Sequence, residues 1–411
     1  MPSSSRAAFT FIFVTVTLDM LALGIVSPVL PGLIVEFEEG DVSRAAHVTG
    51  VFGFIWALMQ FFAAPALGVL SDRFGRRPVV LFSMAGLGLD YILMALAPSL
   101  GWLFIGRIIS GITSATYPVA AAYVSDITPV EQRSARFGIL SASFGLGFVI
   151  GPAIGGLLGD IDLRLPFWGA AVLCLANAFY GIFVLPESLP LDRRAPFSWK
   201  RANPFGALIL LRKHVELSGL SWVAWLTSFA HAALPNLIVL YMSFRYGWGE
   251  RAIGLAVTAI GASSAIVGLW AVGYSVKKLG ERTTLLVGLV APTLGFLIYA
   301  FAYRSEIFIV GIGVMALWGL SGAPLQTYMT RHVSPSEQGQ LQGALTGLRC
   351  IAGMIGPLFF GWIFGASIDG QSSLHFPGAS FFIAALVFAA ATILAARVTQ
   401  SPNHSTTDGH R

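Results

Sequence analysis

Twelve apolar runs, each about as long as a bilayer core is thick, leave this chain few ways to fold. They fall at roughly 8–30, 48–70, 78–97, 100–122, 135–158, 166–185, 217–243, 252–274, 284–303, 306–329, 341–364 and 378–397. A helix rises about 1.5 Å per residue, so about 20 residues cross about 30 Å of hydrocarbon. No water is present there to satisfy backbone N–H and C=O groups, so each run must close its hydrogen bonds within itself as a helix. The composition agrees: 55 % of residues are hydrophobic and only 11 % charged, well under the charged share of soluble domains. The expected fold is an all-α membrane protein of twelve transmembrane helices.

The chain also repeats itself. Gly68-Val-Leu-Ser-Asp72-Arg73-Phe-Gly75-Arg76-Arg77-Pro78 lies between the second and third runs. A degraded copy, Gly273-Tyr-Ser-Val-Lys277-Lys278-Leu-Gly280-Glu281-Arg282, lies between the eighth and ninth. The shift is 205 positions (68 to 273, 75 to 280), and it also carries Gly151-Pro152 onto Gly356-Pro357 and Gly156 onto Gly361. That shift is half of the 411 residues. A duplication with six runs in each copy predicts two pseudo-symmetric six-helix bundles, an architecture of secondary transporters.

Lys and Arg set the orientation. Five arginines, Arg44, Arg164, Arg245, Arg251 and Arg304, fall in loops on one side, and Arg107 and Arg349 fall inside helices. The rest of the 25 basic residues fall on the other side, which predicts cytoplasmic termini by the positive-inside rule. The net charge of +5 follows the membrane and gives no nucleic-acid patch. The expected organisation is a first bundle at 1–185, a basic, proline-broken cytoplasmic connector at 186–216, a second bundle at 217–397 and a disordered tail at 398–411. Asn203 to Lys213 reads as a short amphipathic helix on the membrane surface. Cys174 and Cys350 stand alone in apolar runs and read as small core residues.

No nucleophile with a base, no metal-ligand spacing and no cofactor loop is apparent; Gly145-Leu-Gly147-Phe-Val-Ile-Gly151 has the wrong spacing for a dinucleotide fold. The chain is therefore expected not to be an enzyme and to use no cofactor beyond a proton gradient. Its chemistry must come from polar groups inside the bilayer, which are costly there and usually functional. Asp19, Asp90 and Arg107 fall at about 16, 18 and 20 Å from the cytoplasmic side. Burial drives a lone carboxylate toward its protonated form, whereas a neighbouring arginine holds it ionised. A carboxylate balanced between the two suits proton coupling; a purely structural ion pair is the alternative. In the fifth run, Gly147, Gly151, Pro152, Gly155 and Gly156 strip one helix of side chains. That pattern fits either a generic close crossing or a seal between the bundles.

These residues carry a resemblance. Gly68 to Val79 resembles the signature loop of the major facilitator superfamily, Gly106-Arg107-Ile-Ile-Ser-Gly111 its fourth-helix motif, and Gly147 to Gly156 the motif of its drug/proton antiporters. Leu18-Asp19 through Ser27-Pro28-Val29-Leu30-Pro31, Trp56 to Gln60, Leu89-Asp90-Tyr91 and Gln340-Leu-Gln-Gly343 make the whole chain similar to bacterial tetracycline/proton antiporters. The resemblance implies that Asp19 and Asp90 couple protons and that Arg107 balances them. It implies that Asp72, Arg73, Arg76 and Asp126, with Gly68, Gly75 and Arg77 of the loop, latch a cytoplasmic gate. It further implies a drug path past Gln60 and an inner-membrane efflux pump working as a monomer, with magnesium carried only together with the drug.

One departure bears on the substrate. The family's tetracycline pumps carry an aspartate in the ninth helix where this chain reads Gly288-Leu-Val-Ala-Pro292-Thr-Leu-Gly295. Glu216, Glu250, Glu281, Glu306, Glu337 and Asp369 of the second half all fall at helix ends or in loops. Arg349 enters helix 11 instead, about 12 Å deep. The second half is thus expected to repel cations, and the substrate is expected to shift toward a neutral or partly anionic drug, unless Arg349 snorkels or pairs with Asp19 or Asp90. His231, Asn236, Gln326 and Arg349 are the candidate substrate contacts of this half, with a packing role open for His231. A metabolite or sugar exporter, or a receptor that keeps the fold without transport, are the competing readings.

Overall fold

The structure, a computed structural model, describes residues 3–114, 116–196, 211, 216–334, 337–370 and 375–400. All regular structure among them is helical. The first half comprises α1 (Ser3–Val26), α2 (Leu30–Phe37), α3 (Val42–Phe74), α4 (Arg76–Ala95), α5 (Leu100–Thr113), α6 (Thr116–Ile127), α7 (Val130–Gly159) and α8 (Leu165–Val184). The second comprises α9 (Glu216–His231), α10 (Ala233–Tyr246), α11 (Glu250–Ile266), α12 (Val272–Phe301), α13 (Ser305–Ala316), α14 (Gly319–Thr330), α15 (Gln338–Ile368) and α16 (Ala379–Val398).

Nine helical stretches among the described residues are long and apolar enough to cross a membrane. A pair bent by 47°, Leu217–Pro235 with Leu237–Tyr246, adds a tenth. The 52-residue stretch Glu250–Phe301 counts there as one, although its helix is kinked at Gly280 and holds two passes. The fourth pass is split into α5 and α6 after Thr113. With these two resolved, the chain makes the twelve passes that its apolar runs predict.

Several boundaries differ from the sequence reading. The charged stretch before Gly75 is not a loop: α3 runs through Asp72 and Arg73 to Phe74, and α4 begins at Arg76. The turn is one residue, Gly75, at φ 106° and ψ 158°, a backbone conformation open mainly to glycine. Gly280, its counterpart in the repeat, takes nearly the same conformation at φ 79° and ψ 165°. The duplication is therefore legible in the backbone as well as in the letters. Between α11 and α12 the helix passes through a π-helical turn, Val267–Ala271, the form in which π-helix usually occurs within longer helices. The proposed surface helix at Asn203 to Lys213 lies outside the described residues except for Leu211, and the tail beyond residue 400 lies outside them entirely.

The two halves meet along two helix pairs, α3 with α15 and α7 with α11. Both meetings depend on missing side chains. A Cβ at Gly156 would fall 2.6 Å from the Glu250 carbonyl oxygen, and one at Gly361 2.8 Å from the Ala46 carbonyl oxygen. Ser43 Oγ donates to the Gly365 carbonyl at 2.9 Å, closing the α3–α15 seam near its end. All these contacts lie at the membrane face opposite the signature loop. Toward the loop face, Gly138 and Gly145 of α7 and Gly268 and Gly273 beyond α11 have nothing within 4 Å of where a Cβ would be. Among the described residues the halves are thus sealed together at the face opposite the loop, and no glycine contact crosses the seam at the loop face.

Overpacking a backbone contact costs about 1–3 kcal/mol, which shifts a two-state balance by about fivefold to over a hundredfold. Gly361→Leu and Gly156→Leu should each open the sealed face. Maleimide labelling of Ser43→Cys is then expected to rise in both backgrounds, and unchanged labelling would show that the seam tolerates side chains.

Candidate functional site

Three side chains read as proton-coupling groups meet inside the first half. Asp19 of α1 and Asp90 of α4 are each 1 % exposed, and Arg107 of α5 is 8 % exposed. Tyr91, fully buried between them, is within electrostatic reach of all three. The helices carrying Asp90 and Arg107 touch: a Cβ at Gly106 would lie 3.0 Å from Asp90 Oδ1. Yet the expected balance is not an ion pair. Arg107 Nη2 is directed to Met94 Sδ at 3.5 Å, and neither carboxyl oxygen of Asp90 has a hydrogen-bond partner among the described residues. An unpartnered ionised carboxylate in apolar surroundings is costly, so such a group must take up a proton or gain a donor. Arg107 is placed to be that donor after a small movement.

The second half holds a cavity of about 580 Å³. His231, Trp318, Gln326 and Arg349 line it, with Thr227, Ser228 and Ser321. The His231 ring stacks on Trp318 with centroids 3.8 Å apart and planes 19° from parallel. His231 thus packs against Trp318, as the packing reading expects, and both residues line the cavity. Arg349 lies eleven residues, or about 16 Å, along α15, which begins at Gln338, before the apolar run. It pairs with neither Asp19 nor Asp90, and its side chain is exposed to the cavity. Asn236 lies on α10, and its side chain is outside the described residues. Gln60 of α3 donates to Ser114 Oγ at 3.2 Å, at the break between α5 and α6.

At the loop face, Arg76 is the hub. Its Nη1 is 2.6 Å from Asp72 Oδ1 and its Nε 3.1 Å from Asp126 Oδ2. Ser71 Oγ accepts a further bond from Nη1 at 2.6 Å. Arg73 does not join: its guanidinium lies over the Phe74 ring, 5.1 Å from the centroid. Arg77 donates instead to the Ile182 carbonyl. Gly68 has nothing within 4 Å of a would-be Cβ. The antiporter motif divides its work. Gly147, Gly151 and Gly155 pack α7 against α1 within the same half, and only Pro152 and Gly156 face α11 across the seam.

Two participants went unread in the sequence. Glu187, just past α8, accepts from the backbone N–H of Arg76 at 2.8 Å and lies 3.8 Å from Arg194. It ties the start of the connector to the signature loop, as does Ala195, which donates to the Asp72 carbonyl at 3.1 Å. Glu250 was assigned to a helix end, and it is one. Even so, its carboxylate is tucked into the seam against Gly32, with a buried Oε2 that has no hydrogen-bond partner among the described residues. No local signal marks either glutamate, since only the fold brings residues 76 and 187, or 32 and 250, together.

The Major Facilitator Superfamily profile matches residues 12–357 and 220–411. This chain belongs to that superfamily. Among its relatives are a class C tetracycline resistance protein of Escherichia coli, 39 % identical over 93 % of this chain and 96 % of the relative. A class H tetracycline resistance protein of Pasteurella multocida is 34 % identical over 95 % and 96 %. In three dimensions the superfamily member resembles a bacterial homolog of the human lysosomal transporter Spinster, solved inward-facing and unoccupied. The TM-score is 0.76 over 98 % of this chain and 100 % of that one, at 17 % identity. That likeness shows the fold of a superfamily transporter.

Because Glu187 fastens the connector through the backbone N–H of Arg76 and through Arg194, Glu187→Ala should loosen it, whereas Arg76→Gln keeps that N–H and should not. Trypsin cleavage at Arg193 and Arg194 is expected to quicken several-fold in Glu187→Ala and to stay close to wild type in Arg76→Gln. Wild-type cleavage in Glu187→Ala would show that Glu187 does not hold the connector.

Proposed function

We propose that this superfamily member is a proton-coupled efflux antiporter that exports a tetracycline-like or other amphipathic drug by alternating access. The observation that carries this reading is the separation of two chemistries within one molecule. Buried carboxyls beside an arginine occupy the first half, and a cavity able to hold a drug-sized molecule occupies the second. The tetracycline resistance proteins similar to it over nearly their whole length support the drug class.

In this reading residues 1–185 couple protons, 217–397 select the substrate, and 186–216 is the connector held to the signature loop by Glu187. The sealed face is periplasmic and the loop face cytoplasmic, with both termini cytoplasmic in a bacterial inner membrane and the monomer as the working unit. The drug enters from the cytoplasm beside Gln326 and Arg349. Proton loading at Asp90 removes the cost of an unpartnered carboxylate; release follows when Arg107 swings toward it and stabilises the ionised form. Asp19 lies in α1 against α7, the helix that forms the seam, so its protonation state can reach the gate. Arg76, Asp72 and Asp126 hold the loop rigid as the halves rock. The driving force is the proton gradient, and magnesium takes part only as cargo.

Two substitutions test the coupling. Asp90→Asn and Asp19→Asn should each abolish drug-induced proton exchange in inverted membrane vesicles, read by a pH-sensitive dye, while the protein still inserts. Wild-type exchange in both variants would refute the assignment.

A further inference from the structure

Resting on the efflux reading, the second-half cavity can be asked which drugs it accepts. Its polar groups are mostly spent. Thr227 Oγ1 donates to the Val223 carbonyl at 2.9 Å, Ser228 Oγ to Ala224 at 2.7 Å and Ser321 Oγ to Trp318 at 2.8 Å. Each hydroxyl is thus turned back into its own helix. The donors left to a ligand include the amide of Gln326 and the guanidinium of Arg349, both exposed, beside the ring N–H groups of His231 and Trp318. No aspartate or glutamate is among the lining residues. Arg349 makes no ion pair or hydrogen bond with any described residue. The fixed charge of this wall is therefore positive, and it is not neutralised from within.

The apolar part of the wall includes two rings. His231 and Trp318, stacked on one another, line it together with Leu325, Met329 and Leu345. A planar aromatic ring packs well beside such rings. An arginine fork beside it suits a carboxylate, which accepts two parallel N–H bonds. A monocation would meet the same guanidinium as a like charge. We propose that this cavity is a site for planar aromatic organic anions, with Arg349 as the specificity-determining residue that holds the acid group and Gln326 as the second donor.

The assignment has a consequence for energetics. Exchanging one entering proton for one leaving monocation moves no net charge. Exchanging one proton for a monoanion moves two positive charges inward, so the membrane potential as well as the pH gradient drives export.

The test uses the purified full-length protein and a matched pair of probes: nalidixate, a planar aromatic monocarboxylate, and its uncharged ethyl ester. Equilibrium binding of each is measured by scintillation proximity at a pH where the acid is ionised. Nalidixate is expected to bind about tenfold or more tightly than the ester. Arg349→Gln should erase that preference by weakening the acid alone, and unchanged ester binding shows the variant folded. Arg349→Lys, which keeps the charge but loses the fork, should retain part of the preference and decides the matter if Arg349→Gln also loses the ester. Equal binding of acid and ester by the wild type, or an acid preference that survives Arg349→Gln, overturns the proposal. Proton exchange in inverted vesicles keeps the two readings apart. Exchange with magnesium–tetracycline but no binding of nalidixate leaves the efflux reading and overturns the anion site. Arg349-dependent nalidixate binding without proton exchange for any probe keeps the anion site and removes the efflux reading.

Discussion

Contact between bare backbones across the seam is the constraint on which the rest of the molecule depends. Within lipid there is no hydrophobic drive to bring helices together, so association rests on close packing and on hydrogen bonds made at short range. Gly156 against Gly254 and Gly361 against Gly50 let the halves approach until main chains touch. The α3–α15 seam adds the Ser43 bond to Gly365. The closest approach lies toward one membrane face and continues as far as Gly261 against Phe148, while the cavity is enclosed by helices of the second half alone. A molecule with such a seam has two discrete arrangements available to it: packed surfaces either fit or part, and they do not deform continuously.

Charge is placed with respect to that seam. The carboxyls of Asp19 and Asp90 sit in the first half, away from the cavity walls of the second. Arg349, which pairs with no described residue, lines the cavity of the second half. The unsatisfied oxygens of Asp90 and this guanidinium therefore lie in separate halves and do not neutralise each other. Polar groups left without partners in a membrane are costly. The carboxylate of Glu250 belongs to the same pattern at the sealed face.

The signature loop serves another purpose. Gly75 and Gly280 each turn the chain in a single residue, which lets long helices follow one another without slack. Around Gly75 the ion pairs of Arg76 and the reach of Glu187 make a rigid corner. Around Gly280 the network is reduced to Arg331 with Glu281 at 2.8 Å. The second copy has the turn without the charge cluster, so the two corners are distinguishable in the structure as in the letters.

The amino-acid sequence by itself determined the number of passes, the duplication, the positions of buried charges along the membrane normal and the superfamily they resemble. Each of these rests on a one-dimensional property: run length against bilayer thickness, a constant offset, or depth counted at a fixed rise per residue. Asp19, Asp90 and Arg107 were legible for that reason, and so was the loss of the ninth-helix carboxylate. Tertiary structure alone decided who touches whom. It placed Arg107 beside Met94 rather than on Asp90, stacked His231 on Trp318, left Arg73 outside the charge cluster and brought in Glu187 and Glu250. A helix presents side chains around its whole circumference, so depth says nothing about azimuth. Which face meets which partner is settled only when the helices pack.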